Sequence, residues 1–561
     1  MNGLLKGKSL CFSQIVLYAA LLVAGVFHEF VSCLLAVVLL VWLGVQWGKK
    51  KTLSLCLTPA FGAMVALVLA YGATVLWAVD SGMAVFGFFK FLPLPLYMLV
   101  LMQQPDGRQR AIDGLPYAVT LMTVFSVVGM YLPVVSVYFT VSGRLSGFLQ
   151  YPNTFAVLLL IAELLLLTGD RPRWWDYGCI SILLFGILST GSRTVFLLTV
   201  AANGLALLLH RNKKVRWVML ACIVAGVALV LVYCAVTDRF GVLGRYLNIN
   251  LKESTFAGRI LYMLDALPLV ARHPFGLGYM GYYYMEQSIQ TGLYAITYVH
   301  NDLLQILLDV GWVPFAAFMT AVGMSFFSRA VPMRHKLVMA VMLVHALFDF
   351  DLQYIAVFMV LLLLMAPTPC KNLLLSRGRG LWYALTGLLA VACLYVGTVQ
   401  GLTYFKCYDE ARDLYPWHTA NEIRLLQELE DPAEAAVVAD RILDRNPHVS
   451  VAYSVKSRYA YSIGDFASVI TYKEKTIETA PFFHSEYWEY GDMLISGIRL
   501  YTKAGDIASA KVCERALLAL SDKLAVQEER LSEYGAAIDT QPIFYLRKDQ
   551  REYIAALKGE E

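Results

Sequence analysis

The residues best suited to chemistry lie in one stretch of the chain, from Arg259 to Asp302. Arg259 opens an apolar-periodic segment, a loop rich in Gly and Tyr follows, and His300 precedes the next hydrophobic segment. Arginine presents a permanently charged, planar fork to phosphate oxygens. A neutral histidine, whose usual pKa is about 6.5, can orient or deprotonate a hydroxyl near neutral pH. The stretch therefore predicts a site for an anionic substrate beside a group that activates an acceptor.

These residues also have structural alternatives. His300 could be an interfacial residue that caps the following helix, and Asn301 is a favoured helix-start residue as well. Tyr282 and Tyr283 could stack on sugar rings, or could belong to the aromatic belt found at membrane surfaces. The local sequence leaves these alternatives open.

The whole chain has the composition of a polytopic membrane protein. Hydrophobic residues make up 58% of the 561 residues and charged residues 16%, against about 25% charged residues in soluble proteins. Because a spanning helix needs about 20 apolar residues, we predict an all-α transmembrane bundle of about thirteen spans over residues 1–404. The predicted spans are 10–27, 30–47, 58–79, 83–102, 115–140, 153–168, 174–189, 192–209, 216–236, 301–327, 335–347, 352–366 and 380–404. The short segments 335–347 and 352–366 could instead form a re-entrant hairpin.

Basic residues are concentrated in every second loop between these spans. The basic loops contain Lys6, Lys8, Lys49, Lys50, Lys51, Arg108, Arg110, Arg171, Arg173, Arg211, Lys213, Lys214, Arg216, Arg329, Arg334, Lys336, Lys371, Arg377 and Arg379. By the positive-inside rule this side is cytoplasmic. The sequence therefore predicts a cytoplasmic N-terminus and an exterior loop at about 237–300.

The short loops on the exterior side contain only two basic residues, Arg144 and Arg193. Arg259, His300 and the FDFD turn at 348–351 are predicted to lie on the same face. Ionisable groups kept near a membrane at a cost are functional candidates. The structural alternative for either isolated arginine is a side chain that extends to the lipid headgroups.

Charged residues become dense after about residue 404. The segments DPAEAAVVADRILDRNP (431–447) and DFASVITYKEKTIETAP (465–481) are 34 residues apart, the tetratricopeptide (TPR) period. GDIASAKVCERALLAL (505–520) resembles a third, divergent unit. We therefore predict that residues 405–561 form a soluble, α-helical TPR-like solenoid on the exterior side. Such a solenoid offers a concave surface for a protein partner.

Several motifs carry a resemblance to a known family. They are GRLSGFLQYPNTFAVLL (143–159), STGSRTVFLL (189–198), the AGR…ARHPFGLGY run (257–279), HNDLLQILLDVGW (300–312) and HALFDFDLQY (345–354). In this order the chain resembles the O-antigen ligase/polymerase family over roughly residues 10–400. Tyr151 and Pro314 depart from the family pattern, which frequently has Asn and Gly there, and they leave the subfamily open.

The resemblance implies a metal-independent membrane glycosyltransferase that needs no cofactor. Its donor would be an oligo- or polysaccharide on a polyprenyl pyrophosphate, and its acceptor a hydroxyl of a glycan, lipid or protein. The reaction would take place on the exterior face of a bacterial plasma membrane, by an O-antigen ligase, a polymerase or a protein oligosaccharyltransferase. The implied catalytic residues are His300, Arg259 and Arg193. The implied substrate-binding residues are Arg144, Asn153, Asn301, Tyr282 and Tyr283.

The competing hypothesis is a non-enzymatic glycan-lipid transporter, or a membrane scaffold that presents the repeats. A transporter would more naturally place its polar groups near the bilayer midplane, whereas here they gather at one face. The ten cysteines form no CxxC pair, so no zinc site is indicated. The expected partners are the lipid-linked donor, the acceptor, membrane lipids and a protein bound by the repeats, with no nucleic acid.

Overall fold

The structure is a computed structural model that describes residues 10–169, 172–209, 213–237, 240–247, 254–365, 372–376 and 378–559. Six basic residues of the topology prediction, Lys6, Lys8, Arg171, Arg211, Lys371 and Arg377, lie outside these ranges, as does part of the predicted exterior loop. The described chain is predominantly α-helical with very little strand, which agrees with the predicted all-α class.

Nineteen α-helices precede residue 405 in the described part of the chain. They are α1 Phe12–Leu22, α2 Glu29–Lys50, α3 Pro59–Thr74, α4 Ser81–Phe91, α5 Pro93–Met102, α6 Gly107–Met130, α7 Ser136–Phe139, α8 Pro152–Leu167, α9 Trp174–Thr190, α10 Arg193–Leu209, α11 Lys213–Thr237, α12 Phe240–Leu247, α13 Ser254–Arg272, α14 Gly281–Ile289, α15 Asp302–Val310, α16 Trp312–Phe327, α17 Met333–Ala346, α18 Ile355–Leu364 and α19 Arg379–Tyr404. Three 3-10 helices cover Ala24–Val26, Gly147–Leu149 and Asp351–Gln353.

Two short antiparallel strand pairs occur among these helices. The first joins distant parts of the chain and the second joins adjacent parts. Strand β1 (Leu53–Cys56) pairs with β4 (Asn372–Leu375), and β2 (Thr140–Val141) pairs with β3 (Arg144–Leu145). The second ladder is a tight hairpin that places Arg144 at the edge of the helical bundle, next to the C-terminal end of α9.

Four helical segments in the described chain are long and apolar enough to cross a membrane by length and composition: Glu29–Lys50, Ser81–Met102, Gly107–Met130 and Gly380–Tyr404. Eight further apolar helices have 10–17 residues. These helices support a multi-pass membrane protein, and the count of about thirteen spans stays a prediction.

The bundle is apolar both inside and outside. Every residue of α8 and of α18 is buried, which makes these two helices the centre of the domain. By contrast, only 17% of the most apolar part of α19 is buried. A helix that turns apolar side chains away from the protein needs an apolar solvent, so α19 has the character of a lipid-facing helix.

The predicted span 301–327 is wrong as a single helix. It is divided at Gly311 into α15 and α16, because the loop after α13 packs against this point. Trp312 N–H donates to Pro274 O at 3.0 Å, and Leu277 N–H donates to Leu308 O at 2.7 Å. Gly311 has φ +81°, and a Cβ there would lie 2.4 Å from Pro274 O. The close approach therefore needs a glycine, and the helix breaks there.

The segments predicted as a short pair, 335–347 and 352–366, form α17 and α18 with 14 and 10 residues. Both are shorter than the about 17–25 residues of a spanning helix. The turn between them carries Asp349 and Asp351. Thr154 Oγ1 donates to Asp351 Oδ1 at 2.7 Å, and His345 bonds the other oxygen of the same carboxylate, so the turn is fixed to α8 and α17.

The helices after residue 404 make up the region that the sequence predicts as a second domain, here called the C-terminal domain. Its helices are α20 Tyr408–Leu414, α21 Thr419–Glu428, α22 Pro432–Arg445, α23 Ser450–Ser462, α24 Phe466–Thr479, α25 His484–Ala504, α26 Ile507–Arg530, α27 Glu533–Ala537 and α28 Lys548–Lys558. From α22 to α26, each helix packs against the next. Asp431, Asp465 and Asp506 cap the N-termini of α22, α24 and α26, which are every second helix of this series. These features fit the expected repeat, and its assignment to the TPR type stays a prediction.

The C-terminal domain lies directly on one end of the bundle. Asn446 Nδ2 donates to Asp80 Oδ2 at 3.0 Å, and Tyr415 Oη donates to Gly82 O at 3.0 Å, both at the N-terminus of α4. A Cβ on Gly82 would lie 1.9 Å from Trp417 O. Contacts this close, through backbone atoms, indicate that the two domains are fitted to each other.

Candidate functional site

A cavity of about 300 Å³ opens at the end of the bundle where α8, α10, α12, α13 and α17 meet. The described residues that line it are Arg144, Asn153, Gly191, Ser192, Arg193, Thr194, Leu197, Leu198, Arg245, Thr255, Phe256, Arg259, Val344 and Phe348. Four of them are arginines and none is acidic. The cavity thus brings together Arg144, Asn153, Arg193 and Arg259 from the sequence prediction, although they are up to 115 positions apart in the chain.

Three of the four arginines, Arg144, Arg193 and Arg245, are oriented by neutral oxygen atoms of the framework. Arg144 Nε donates to Thr190 O, and its Nη2 donates to Asn153 Oδ1, both at 2.7 Å. Arg193 Nε donates to Arg245 O at 2.9 Å, and Arg245 Nε donates to Gly191 O at 3.4 Å. These bonds fix the guanidinium groups in place without neutralising their charge.

Four like charges around one small cavity repel one another, and the cavity is partly shielded from water. Burial lowers the pKa of Arg144 to about 10, and the neighbouring charge of Arg245 adds to this effect. A guanidinium fork binds phosphate or carboxylate oxygens through paired, charge-assisted hydrogen bonds. The arrangement is therefore suited to a compact anion that carries more than one negative charge.

One side of the cavity is apolar. Leu197 and Leu198 of α10, Phe256 of α13, and Val344 and Phe348 at the end of α17 complete its lining. Leu197 is also about half exposed. A charged group bound by the arginines could thus continue into a hydrocarbon chain.

Asp349 connects this cavity to His300. The carboxylate is fully buried and contacts four side chains. Oδ2 accepts from Arg259 Nη2 at 2.9 Å and from Asn153 Nδ2 at 2.8 Å. Oδ1 accepts from Tyr151 Oη at 2.9 Å and lies 3.3 Å from His300 Nδ1. Burial acts to raise the pKa of Asp349, but the charge of Arg259 and the bond with His300 hold this pKa below its usual value, so the carboxylate is ionised.

His300 does not line the cavity, but the carboxylate of Asp349 contacts both His300 and Arg259. Its side chain is 20% exposed, and its ring packs between Tyr262 and Phe350, with centroid distances of 5.9 and 5.0 Å. A carboxylate beside Nδ1 favours the tautomer that has its proton there, which leaves the lone pair on Nε2. His300 also adopts a left-handed backbone conformation with φ +53°.

The helix-capping alternative for His300 does not agree with the structure. The residue that caps α15 is Asn301, whose Oδ1 accepts from Leu304 N–H at 3.0 Å. Its amide nitrogen is turned toward Met263 Sδ at 3.2 Å, and Asn301 is not among the residues that line the cavity. Asp302 accepts from Leu352 N–H at 2.8 Å and so ties the start of α15 to the Asp349 turn. Asn301 and Asp302 thus hold His300 and Asp349 in register.

The two tyrosines predicted to contact sugar lie away from the cavity. Tyr282 is fully buried in an apolar cluster with Leu277, Val299 and Leu308, which leaves no face of its ring for a sugar. Tyr283 is 38% exposed, and its ring lies edge-on to Tyr284 at a centroid distance of 5.2 Å. Their positions on α14 face the framework and the C-terminal domain instead.

The sequence prediction missed two members of the site. Arg245 stands in α12, within the predicted exterior loop, where no motif distinguished it. Asp349 was noted only as part of the FDFD turn on the same face. A signal was nevertheless present, because an acidic residue in a hydrophobic turn requires a buried partner. Tyr151, which departs from the family pattern, supplies one of the bonds to this carboxylate.

Comparison with protein-family models gives a match. A model described as O-Antigen ligase matches residues 178–319, about a quarter of the 561 residues. The matched range includes Arg193, Arg245, Arg259 and His300, whereas Arg144 and Asp349 lie outside it. The match supports a membrane glycosyltransferase of the O-antigen ligase/polymerase type, which in general uses a lipid-linked glycan donor and an acceptor. Comparison with curated proteins gives no match.

Proposed function

We propose that the protein transfers or polymerises a glycan carried on a polyprenyl pyrophosphate, and that the acceptor is a hydroxyl. The observation that carries this proposal is the four-arginine cavity joined to His300 through Asp349. Arg144, Arg193, Arg245 and Arg259 would bind the pyrophosphate, and the apolar side of the cavity would receive the first part of the polyprenyl chain. Neither role requires a metal or a cofactor.

In the proposed reaction, His300 beside Asp349 Oδ1 acts on the acceptor, and Arg259 at Asp349 Oδ2 acts with the other arginines on the donor. His300 Nε2 accepts the proton of the acceptor hydroxyl as the oxygen attacks the anomeric carbon of the donor. The bond from that carbon to the pyrophosphate oxygen breaks, and the pyrophosphate leaves with the bonding electron pair. Fixed cations stabilise the charge that develops on this leaving group, while Asp349 stabilises the imidazolium that forms. The proton remains on His300 until solvent removes it.

The location of the site supports catalysis at an exterior membrane face. The arginines, His300 and Asp349 all lie on the side that the positive-inside rule assigns to the exterior. We place this face on a bacterial plasma membrane, with the N-terminus in the cytoplasm. The C-terminal domain would then lie outside, and its TPR-like helices would bind a protein partner or help to select the acceptor.

The experiment that tests the proposal follows product formation by the purified full-length protein in nanodiscs, with a lipid-linked glycan and candidate acceptors. We expect His300→Ala to lower turnover by about 10²–10⁴-fold, the usual contribution of a general base, while donor binding is retained. The matched control is His484→Ala, in the C-terminal domain, which should keep normal turnover. Full activity of His300→Ala would contradict the base assignment. A wild-type protein that moves the donor across liposomes and forms no glycosidic bond would establish the transporter hypothesis instead.

A further inference from the structure

A short segment of the C-terminal domain packs on the helix that carries Arg259. Residues 532–539, which include α27, lie along the first turns of α13. Ile538 is 7% exposed and forms one buried apolar cluster with Ala257 and Leu261 of α13 and with Tyr294. Asp539 N–H donates to Ser254 Oγ at 2.9 Å, at the N-terminus of the same helix. The segment therefore contacts α13 two residues before and two residues after Arg259.

A hydrogen-bond network joins the same segment to α13 a second time. Ser532 N–H donates to Thr291 O at 2.9 Å, and the Ser532 and Thr291 hydroxyl oxygens are 3.0 Å apart. Thr291 donates in turn to Asp265 of α13, from Oγ1 at 2.7 Å and from N–H at 3.0 Å. The Tyr294 hydroxyl also donates to Asp265, at 2.9 Å. The network thus ends on the helix that Ile538 already contacts.

Two glycines allow the segment to approach this closely. A Cβ on Gly535 would lie 2.2 Å from Thr291 O, and a Cβ on Gly292 would lie 2.6 Å from the Gly535 Cα. Both distances are far below van der Waals contact, so any side chain at either position would move the backbones apart. The contact is consequently a fitted one rather than a loose crossing of two surfaces.

The contact extends to His300 as well as to Arg259. Tyr262, on the next turn of α13, packs on the apolar cluster of Ile538. Its ring lies 4.5 Å from the Tyr294 ring and 5.9 Å from the His300 ring. Residues 532–539 of the C-terminal domain are thereby connected to both Arg259 and His300, the two residues that contact Asp349 from either side.

We propose that residues 532–539 are a positioning element for the transfer reaction. They hold α13 so that Arg259 faces both the cavity and Asp349, and they hold Tyr262 against the His300 ring. Ser532, Gly535 and Ile538 are positioning residues that touch no substrate. The proposal rests on the proposed function for its catalytic consequence, whereas its structural part stands independently. The C-terminal domain then has two roles: it positions residues of the transferase site, and it can also bind a partner.

The structural part is tested by hydrogen–deuterium exchange on the substrate-free, full-length protein in nanodiscs. In Ile538→Ala, the amides of residues 254–264 should exchange about tenfold faster or more, because the local opening of α13 loses its opposing contact. The matched control is Ile507→Ala, an exposed position of the same domain, which should leave this exchange unchanged. Ser532→Ala removes side-chain hydrogen bonds only and provides a second variant should Ile538→Ala fail to insert.

The catalytic part is tested by a double-mutant cycle with Arg259. Ile538→Ala should lower kcat/KM for the lipid-linked donor by about tenfold and leave KM for the acceptor unchanged. If the segment acts through α13, Ile538→Ala in an Arg259→Lys background should cost less than it does alone. A purely structural loss would lower the activity of both backgrounds by the same factor.

Unchanged exchange of α13 in Ile538→Ala and Ser532→Ala, or multiplicative losses in the cycle, would overturn the proposal. A wild-type protein that forms no product would refute the proposed function alone. The exchange measurement would then still decide whether residues 532–539 hold α13.

Discussion

At the scale of single residues, the site depends on two side chains in costly environments. The left-handed conformation of His300, with φ +53°, costs about 1–3 kcal/mol in a residue other than glycine. Asp349 is an ionised carboxylate with no exposed surface, a state that needs good partners on every side. Such features persist only where surrounding contacts fix them. Here Asn301, Asp302 and Thr154 do so, which agrees with a functional role for the His300–Asp349 pair.

We expect Asp349→Asn to lower transfer by about 10²-fold or more, because His300 loses the charge that stabilises its protonated form. The amide can still bond Tyr151, so the turn should keep its conformation. The measurement is product formation under saturating donor, together with the thermal unfolding temperature.

Asp444→Asn, at an exposed position of α22, is the matched control and should behave as wild type. If Asp349→Asn retained normal turnover with normal stability, the carboxylate would be a structural link only.

At the scale of elements, the loop between α13 and α14 determines where α15 ends. Its glycines permit contacts between backbones that no other residue would allow. Gly276 has φ +87°, and a Cβ there would lie 2.4 Å from Asp309 O. Gly278 N–H donates to Asp309 O at 3.0 Å. The loop thus fixes the C-terminal end of α15, the helix that begins next to His300.

Gly276→Ala should therefore destabilise the protein by about 1–3 kcal/mol, through its backbone conformation alone, with a further loss from the clash. Gly323→Ala on α16 offers a direct comparison, since a Cβ there would meet nothing within 4 Å. Alanine in a helix interior is more favourable than glycine by about 0.8–1 kcal/mol, so this variant should be neutral or stabilised. Thermal unfolding of both variants in one detergent is the measurement. Equal unfolding temperatures for Gly276→Ala and Gly323→Ala would contradict the argument.

At the scale of the whole molecule, the C-terminal domain packs against the helix that carries Arg259, although none of the described residues that line the cavity belongs to it. The C-terminal domain contacts α4 through Asn446 and Tyr415 and contacts α13 through residues 532–539. The sequence predicts a separate binding surface for this domain. Its helices can still provide that surface. Its residues 532–539, however, pack against α13, the helix that contributes Arg259 to the cavity.

This arrangement requires the C-terminal domain to lie on the same side as the arginines. Reporter fusions after Lys51, Arg216 and Arg379 should report cytoplasm, because the basic loops alternate along the chain. Fusions within residues 405–561 should report the exterior. A reporter active only outside and one active only inside provide reciprocal controls at each position. A cytoplasmic signal from the C-terminal domain would contradict the positive-inside assignment of the site.

The sequence could predict the features that depend on local or compositional rules. The apolar content predicts a helical membrane domain, and the change of charge density after residue 404 predicts a second, helical domain. Arg144 and Arg193 were recognised as isolated basic residues of the short exterior loops, Arg259 and His300 by the Gly- and Tyr-rich stretch that they bracket, and the family resemblance implied their roles. These patterns report which residues stand at the membrane boundary.

The sequence alone determined that basic residues and a histidine are collected at one face of an all-helical membrane protein, since hydropathy and charge act through local free energies that each segment carries by itself. Only the tertiary structure decided which of them share a site. Arg144 and Arg245 lie 101 positions apart, and Asp349 contacts His300, Asn153 and Arg259, which come from three other parts of the chain. The ring of Tyr282 is of a type that binds sugars, but it is fully buried, because it packs against Leu277 of the loop between α13 and α14 and its apolar neighbours. Burial and pairing of this kind depend on how distant helices pack together, a property that no single segment of the chain contains.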